Sequence, residues 1–197
     1  MYKQIKWAII GLGNPGIEYS FNRHNIGWLI AQALIDKYYK DKIKKHRSYL
    51  YAIFDLKDLP LIVAMPRTYM NKSGVAVSKI KEKYNLSSQN IIVISDEYNF
   101  ELGRLHLRFN GGNGGHNGLA SIEDWLRTSD FYRLRCGIGN NFSDGELVNY
   151  VLSDFNQNEK ALVDDMIKRA VEAIEYIMNF GIARAMSDIN SGALWKN

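Results

Sequence analysis

The run Lys6-Trp-Ala-Ile-Ile-Gly-Leu12 is followed by Gly13-Asn-Pro-Gly-Ile-Glu-Tyr-Ser-Phe-Asn-Arg-His24-Asn25. An apolar stretch of strand length gives way to glycine and asparagine, and then to Ile26, Leu29, Ile30, Ala33 and Leu34 at helical spacing. The reading is a buried strand over 6–12, a loop, and a helix over about 25–39. The same alternation continues downstream. Residues 48–56 and 60–65 read as strands joined by a turn at Lys57-Asp58, and a helix is predicted from Ser73 to Tyr84. Asn90–Ser95 is a second buried strand and Leu105–Phe109 a short third one. The glycine-rich stretch Gly111–Gly115 opens a helix over 117–127. Residues 131–138 return to strand character, and apolar positions over 157–179 mark a long amphipathic helix. Strands alternating with helices give an α/β fold. The hairpin at 48–65 makes the twisted sheet mixed, with helices flanking it. No linker or repeat interrupts 1–197, which reads as one domain.

Composition narrows the class. Of 197 residues, 46% are hydrophobic and 23% charged, as in ordinary globular proteins. No apolar stretch of membrane-spanning length occurs, and the opening residues run into a strand rather than a signal peptide. A lone cysteine, Cys136, excludes a disulfide framework and a cysteine metal cluster, which suits a cytoplasmic location. The net charge of +4 is compatible with an anionic partner.

Gly11-Leu-Gly13-Asn-Pro-Gly16 matches the spacing of a dinucleotide-binding loop. Pro15 sits inside it, the helix waits until about residue 25, and the available acid, Asp36, falls within that helix instead of ending a second strand. The glycines then serve the turn itself. His24 is a better lead, because an imidazole titrates near neutral pH and can accept a proton from water. Its place near a helix N-terminus would favour the neutral ring, and a carboxylate would counter that. Asp96 follows a hydrophobic strand and is the best candidate, with Glu97 beside it. Asn14, Asn71 and Asp96 all follow strands, and open α/β sheets build sites beyond the carboxyl ends of strands. Asn71 could equally cap a helix. His116 and Asn117 stand at a helix entrance behind glycines that let backbone approach a ligand. His46 and His106 lack such company. The run Lys37, Lys40, Lys42, Lys44, Lys45 and Arg47 reads as a solvated surface. Arg108, Arg133 and Arg135 border the glycine loop. Arg133 and Arg135 share one strand face, so paired guanidiniums could clamp a phosphate or form ordinary ion pairs.

Taken together, GLGNPGIEYSFNRHNIGW (11–28), PRTYMNKSGVAV (66–77), the turn from Asp96 to Gly103, GGNGGHNGLASI (111–122) and FYRLRCGIG (131–139) resemble bacterial peptidyl-tRNA hydrolase. The segment Asn149–Phe155 fits more weakly. The resemblance covers nearly the whole chain in the family's order. It implies a metal-independent, cofactor-free enzyme that cleaves the ester between a peptide and the terminal ribose of tRNA. Its partner is peptidyl-tRNA, no membrane is involved, and the chain is expected to be a cytoplasmic monomer. By position, His24 resembles the family's catalytic base and Asp96 its orienting acid. Asn14, Asn71 and Asn117 match positions that bind peptide, carbonyl and water. Tyr19 and Met70 resemble substrate contacts, His116 a pocket residue, and Arg108 with Arg135 a clamp for the tRNA 5′-phosphate. Asn22, Met65, the turn after Asp96 and Asn140-Asn141 depart from the usual pattern, which concerns the loops around the site. The rival within this fold is an RNA-binding module without catalysis, for which the set His24, Asp96, Asn14 and Asn71 would be superfluous.

Overall fold

Four parallel strands occupy the middle of the sheet, and their order decides which loops meet. In the computed structural model, which describes residues 4–39 and 41–195, these are β1 (Trp7–Gly11), β4 (Leu59–Pro66), β5 (Ile91–Glu97) and β7 (Tyr132–Gly137). β1 pairs in parallel with both β4 and β5, and β5 with β7. The antiparallel strands lie outside this block. β2 (Lys44–Lys45) and β3 (Tyr49–Leu56) extend one side, and β6 (Leu105–Phe109) ends the other. The full order is β2-β3-β4-β1-β5-β7-β6, a seven-stranded mixed sheet. The parallel strands therefore release their loops at one edge, as the positions of Asn14, Asn71 and Asp96 require. Asp96 itself lies inside β5, one residue before the strand ends, and not just beyond it. Lys40 of the basic run falls outside the described residues.

The parallel strands are apolar on both faces, because helices cover both. Ile9, Ile92 and Ile94 point to one side, where α1 (Ile26–Tyr38), α5 (Lys160–Phe180) and α6 (Ile182–Asn190) pack. Ala8, Ile10, Ile91 and Val93 point to the other, toward α2 (Ser73–Tyr84) and α3 (Asn117–Leu126). A short helix, α4 (Leu147–Val151), lies between β7 and α5. The turn joining β3 and β4 places Lys57 at φ 52° and Asp58 at φ 63°. Two left-handed residues in succession make the hairpin turn whose twist matches the strands.

Glycine controls how closely α1 approaches β1. A Cβ on Gly11 would lie 2.2 Å from the Gly27 carbonyl oxygen. One on Gly27 would lie 2.5 Å from the Ile94 oxygen and 2.6 Å from the Leu12 nitrogen. The Trp28 N–H donates to the Leu12 carbonyl at 3.0 Å across this contact. Gly11 and Gly27 thus serve helix–strand packing and not pyrophosphate binding. The resulting contact brings the turn before α1 against the end of β5.

Candidate active site

His24 sits in a single 3₁₀ turn, Arg23–Asn25, that leads into α1. Its Nδ1 lies 2.8 Å from Oδ1 of Asp96. The same oxygen receives a second imidazole, since Nε2 of His116 is 3.0 Å away. His116 precedes α3, and its Nδ1 accepts the backbone N–H groups of Gly118 at 3.0 Å and Leu119 at 3.3 Å. A nitrogen that accepts two N–H groups carries no proton, so the His116 proton is on Nε2 and points at Asp96. An ionised Asp96 then receives N–H groups from both rings. His24 is left protonated on Nδ1, with Nε2 as its basic nitrogen, the arrangement that orients an imidazole in hydrolytic triads.

The electrostatics agree with this network. Burial opposes the Asp96 charge, but His24 and His116 outweigh it and hold the carboxyl well below its ordinary range. Burial also works against the His24 cation, yet the charge and hydrogen bond of Asp96 prevail, and the imidazole pKa is raised above its ordinary value. Of the two opposing influences read from the sequence, a helix end favouring the neutral ring and a carboxylate countering it, the carboxylate is the stronger here. His24, Asp96 and His116 each bring a ligand atom within 4.8 Å of the others. Those atoms are already joined by the two hydrogen bonds, so a metal would compete with the network.

Asn14 ties two loops together. Its backbone N–H donates to Asn25 Oδ1 at 2.8 Å, while Asn25 Nδ2 donates to the Asn14 carbonyl at 3.0 Å. Its side-chain Oδ1 accepts the Met70 N–H at 2.8 Å, which leaves Nδ2 as the donor available to a ligand. Asn71 and Asn117 present exposed carboxamides, and Asn71 does not cap α2. Asn14, His24, Met70, Asn71 and Asn117 line one cleft of about 410 Å³. Tyr69 and Lys72 also line it, and Val148, Val151 and Leu152 give it an apolar wall. The wall escaped the sequence reading. Its signal is the apolar spacing of Leu147, Val148, Val151 and Leu152, one helical turn apart. Tyr19 ends the 3₁₀ turn Ile17–Tyr19, half-buried and apart from the cleft lining.

The arginines differ in their partners. Arg133 is buried, donating to the Gly112 carbonyl at 2.7 Å and to Glu123 at 2.7 Å. It is a structural cation, the ordinary ion-pair role that the sequence left open beside a phosphate clamp. Arg135 donates to Glu97 Oε2 at 3.0 and 2.5 Å. Arg108 is exposed and pairs in register with Arg133, on the strand beside Arg135. Cys136 is buried, and burial pushes its thiol pKa up, which removes it as a nucleophile.

The family model for peptidyl-tRNA hydrolase matches residues 8–196. A peptidyl-tRNA hydrolase of Pseudothermotoga lettingae is 41% identical over 184 residues, covering 93% of this chain and 96% of that protein. One from Sulfurihydrogenibium sp. is 39% identical over 188 residues, with 93% and 96% covered. The crystal structure of peptidyl-tRNA hydrolase from Acinetobacter baumannii superposes with a TM-score of 0.88 at 32% identity, covering 97% of each chain. The matches run through every segment that builds the cleft, and the chain belongs to the peptidyl-tRNA hydrolase family.

Proposed function

We propose that the chain hydrolyses the ester between peptide and tRNA in peptidyl-tRNA, with His24 as general base. One observation carries this reading: a single Asp96 oxygen holds both His24 Nδ1 and His116 Nε2 and so fixes a basic Nε2 on His24 at the cleft. Nε2 takes a proton from water as the water attacks the ester carbonyl, and Asp96 stabilises the imidazolium that forms. The proton then passes to the ribose oxygen as the ester bond breaks. General-base assistance of this kind contributes about 10²- to 10⁴-fold. The Asn71 carboxamide donates to the oxygen that becomes negative, a role worth on the order of 10²-fold where one such donor is removed. Asn14 Nδ2 and Asn117 hold the peptide backbone and the water. Recognition of backbone, together with the apolar wall of α4, accommodates any peptide sequence. Met70 shapes the floor between Asn14 and Gly118. Arg108 takes the 5′-phosphate of the tRNA, with Arg135 as its partner. We place the enzyme in the cytoplasm, as a monomer that needs no metal.

Single-turnover release of peptide from an N-acylated aminoacyl-tRNA tests the reading. His24→Ala should lose at least about 10²-fold in rate while tRNA binding stays near that of the parent. Turnover within a few-fold of the parent would refute the base assignment. Tight tRNA binding with no release by the parent protein would favour the non-catalytic RNA-binding module.

A further inference from the structure

Arg23 is a buried cation that the mechanism above leaves unused. Its Nη1 donates to the Ile138 carbonyl at 3.2 Å and to Glu159 Oε1 at 3.1 Å, and its Nη2 to Glu159 Oε2 at 2.7 Å. The guanidinium carbon lies 4.5 Å from the Tyr150 ring centroid and 4.8 Å from that of Phe155. Tyr150 donates its hydroxyl to the same Ile138 carbonyl at 2.8 Å. The backbone joins in: Arg23 N–H donates to the Ser153 carbonyl at 3.0 Å, and Asn22 bridges Asp154. One side chain thus gathers the exit of β7, α4, the turn after α4 and the start of α5.

A buried ion pair is poor evidence for stability, since apolar packing of the same volume often does as well. What the planar fork supplies is direction: several acceptors must converge on it at fixed angles. Here the gathered segment carries Val148, Val151 and Leu152, the wall of the cleft. The fork itself belongs to the residue before His24, within the same 3₁₀ turn. We infer that Arg23 is a positioning residue, which clamps the segment 138–159 to the turn Arg23–Asn25 and so fixes the His24 ring against the Val148–Leu152 wall. The inference deepens the proposed function and rests on His24 being the base.

Arg23→Lys and Glu159→Gln test it. Lysine keeps the charge but loses the rigid fork that grips both Glu159 oxygens while donating to the Ile138 carbonyl. Glutamine keeps the size and an acceptor for the Asn156 N–H, which Glu159 receives at 2.7 Å. The titratable groups against the His24 ring are Asp96 and His116, and those against the Arg23 side chain are Glu159 and Tyr150; both substitutions leave the first pair intact. Protein labelled with ¹⁵N-histidine reports the ring tautomers. In the parent, His24 should appear as a single Nδ1–H form, with His116 as the internal Nε2–H reference. In Arg23→Lys, His24 should become a mixture, kcat should fall at least about tenfold as misaligned catalytic groups do, and KM should rise more for long peptides than for a single N-acylated residue. Glu159→Gln should move the same readouts in the same direction by less. A role in stability alone would lower the melting temperature and leave the tautomer and the kcat of folded enzyme unchanged, and that result in both variants overturns the inference. Should Arg23→Lys not fold, Glu159→Gln decides. The tautomer is read without substrate, so failure of the clamp is separable from failure of His24 as base, which the His24→Ala assay reports.

Discussion

At the scale of single residues, Asp96 is the pivot, because two imidazoles depend on one of its oxygens. Burial alone would push the His24 pKa down, and Asp96 reverses the sign. The base must be neutral to work, so the acid limb of kcat/KM should lie above the ordinary histidine value of about 6.5. Asp96→Asn removes the charge and leaves burial unopposed. The acid limb should then move to lower pH while the plateau falls on the order of 10²- to 10⁴-fold, because the tautomer is no longer enforced. A pH–rate profile of both proteins checks this, and an unmoved limb would show that Asp96 does not set the proton affinity of the base. The two partners affect stability with opposite signs. His24, raised in the folded state, contributes stability below its unfolded pKa and loses it as pH rises through the folded value. Asp96, lowered in the folded state, contributes above the unfolded carboxylate pKa of about 3.9 and loses it as pH falls. On acidification through the histidine range the parent should therefore gain stability while the asparagine variant loses it, and below about pH 4 the variant should lose less than the parent.

At the scale of elements, the contact between β1 and α1 decides whether His24 reaches Asp96 at all. In an exposed helix, Gly→Ala stabilises by up to about 1 kcal/mol. At Gly27 the added methyl would meet the Ile94 oxygen and the Leu12 nitrogen, both backbone atoms that cannot step aside. Gly27→Ala should thus destabilise by about 1–3 kcal/mol, the usual range for overpacking, and lower kcat as α1 lifts from the sheet. Thermal unfolding alongside steady-state kinetics measures both effects. The long elements were legible because their signals are strong. Ile91–Ile94 is buried on both faces, and α5 repeats its apolar stripe from Val163 to Met178. α4 was not, since its apolar spacing is repeated over only one helical turn and its meaning depends on Arg23, far away in sequence. α6 (Ile182–Asn190) was missed although its apolar residues face β6, because Gly181 separates it from α5 by a single residue. His24 and Asp96 could be paired from the strand–loop pattern. The second role of His116, closing the relay while capping α3, could not, since it depends on which ring nitrogen faces the helix.

At the scale of the whole molecule, the sheet separates two tasks. The parallel strands end at the cleft, and the β6–β7 side carries the arginines proposed to meet the tRNA. The outer strand is protected from pairing with another chain, as Asn190 both accepts from the Leu107 N–H at 2.7 Å and donates to its carbonyl at 2.9 Å. The two proposed phosphate ligands differ in availability. Arg108 is exposed, whereas Arg135 is held by Glu97, whose carboxyl burial would push up but Arg135 and Asn99 pull down. A carboxylate on a guanidinium competes with a phosphate for the same donors. Arg108→Ala should weaken tRNA binding and reduce the slope of log K against log salt by about 1, the change for one lost phosphate contact. Arg135→Ala should do less, because part of its charge is already neutralised. Glu97→Gln reverses the competition: with Arg135 released, binding of tRNA should tighten and the salt slope should steepen by up to about 1. Titrations of 5′-phosphorylated tRNA at several salt concentrations measure all three. Equal affinity and slope for parent and Glu97→Gln would mean that Arg135 belongs to the fold, leaving Arg108 as the sole member of the clamp.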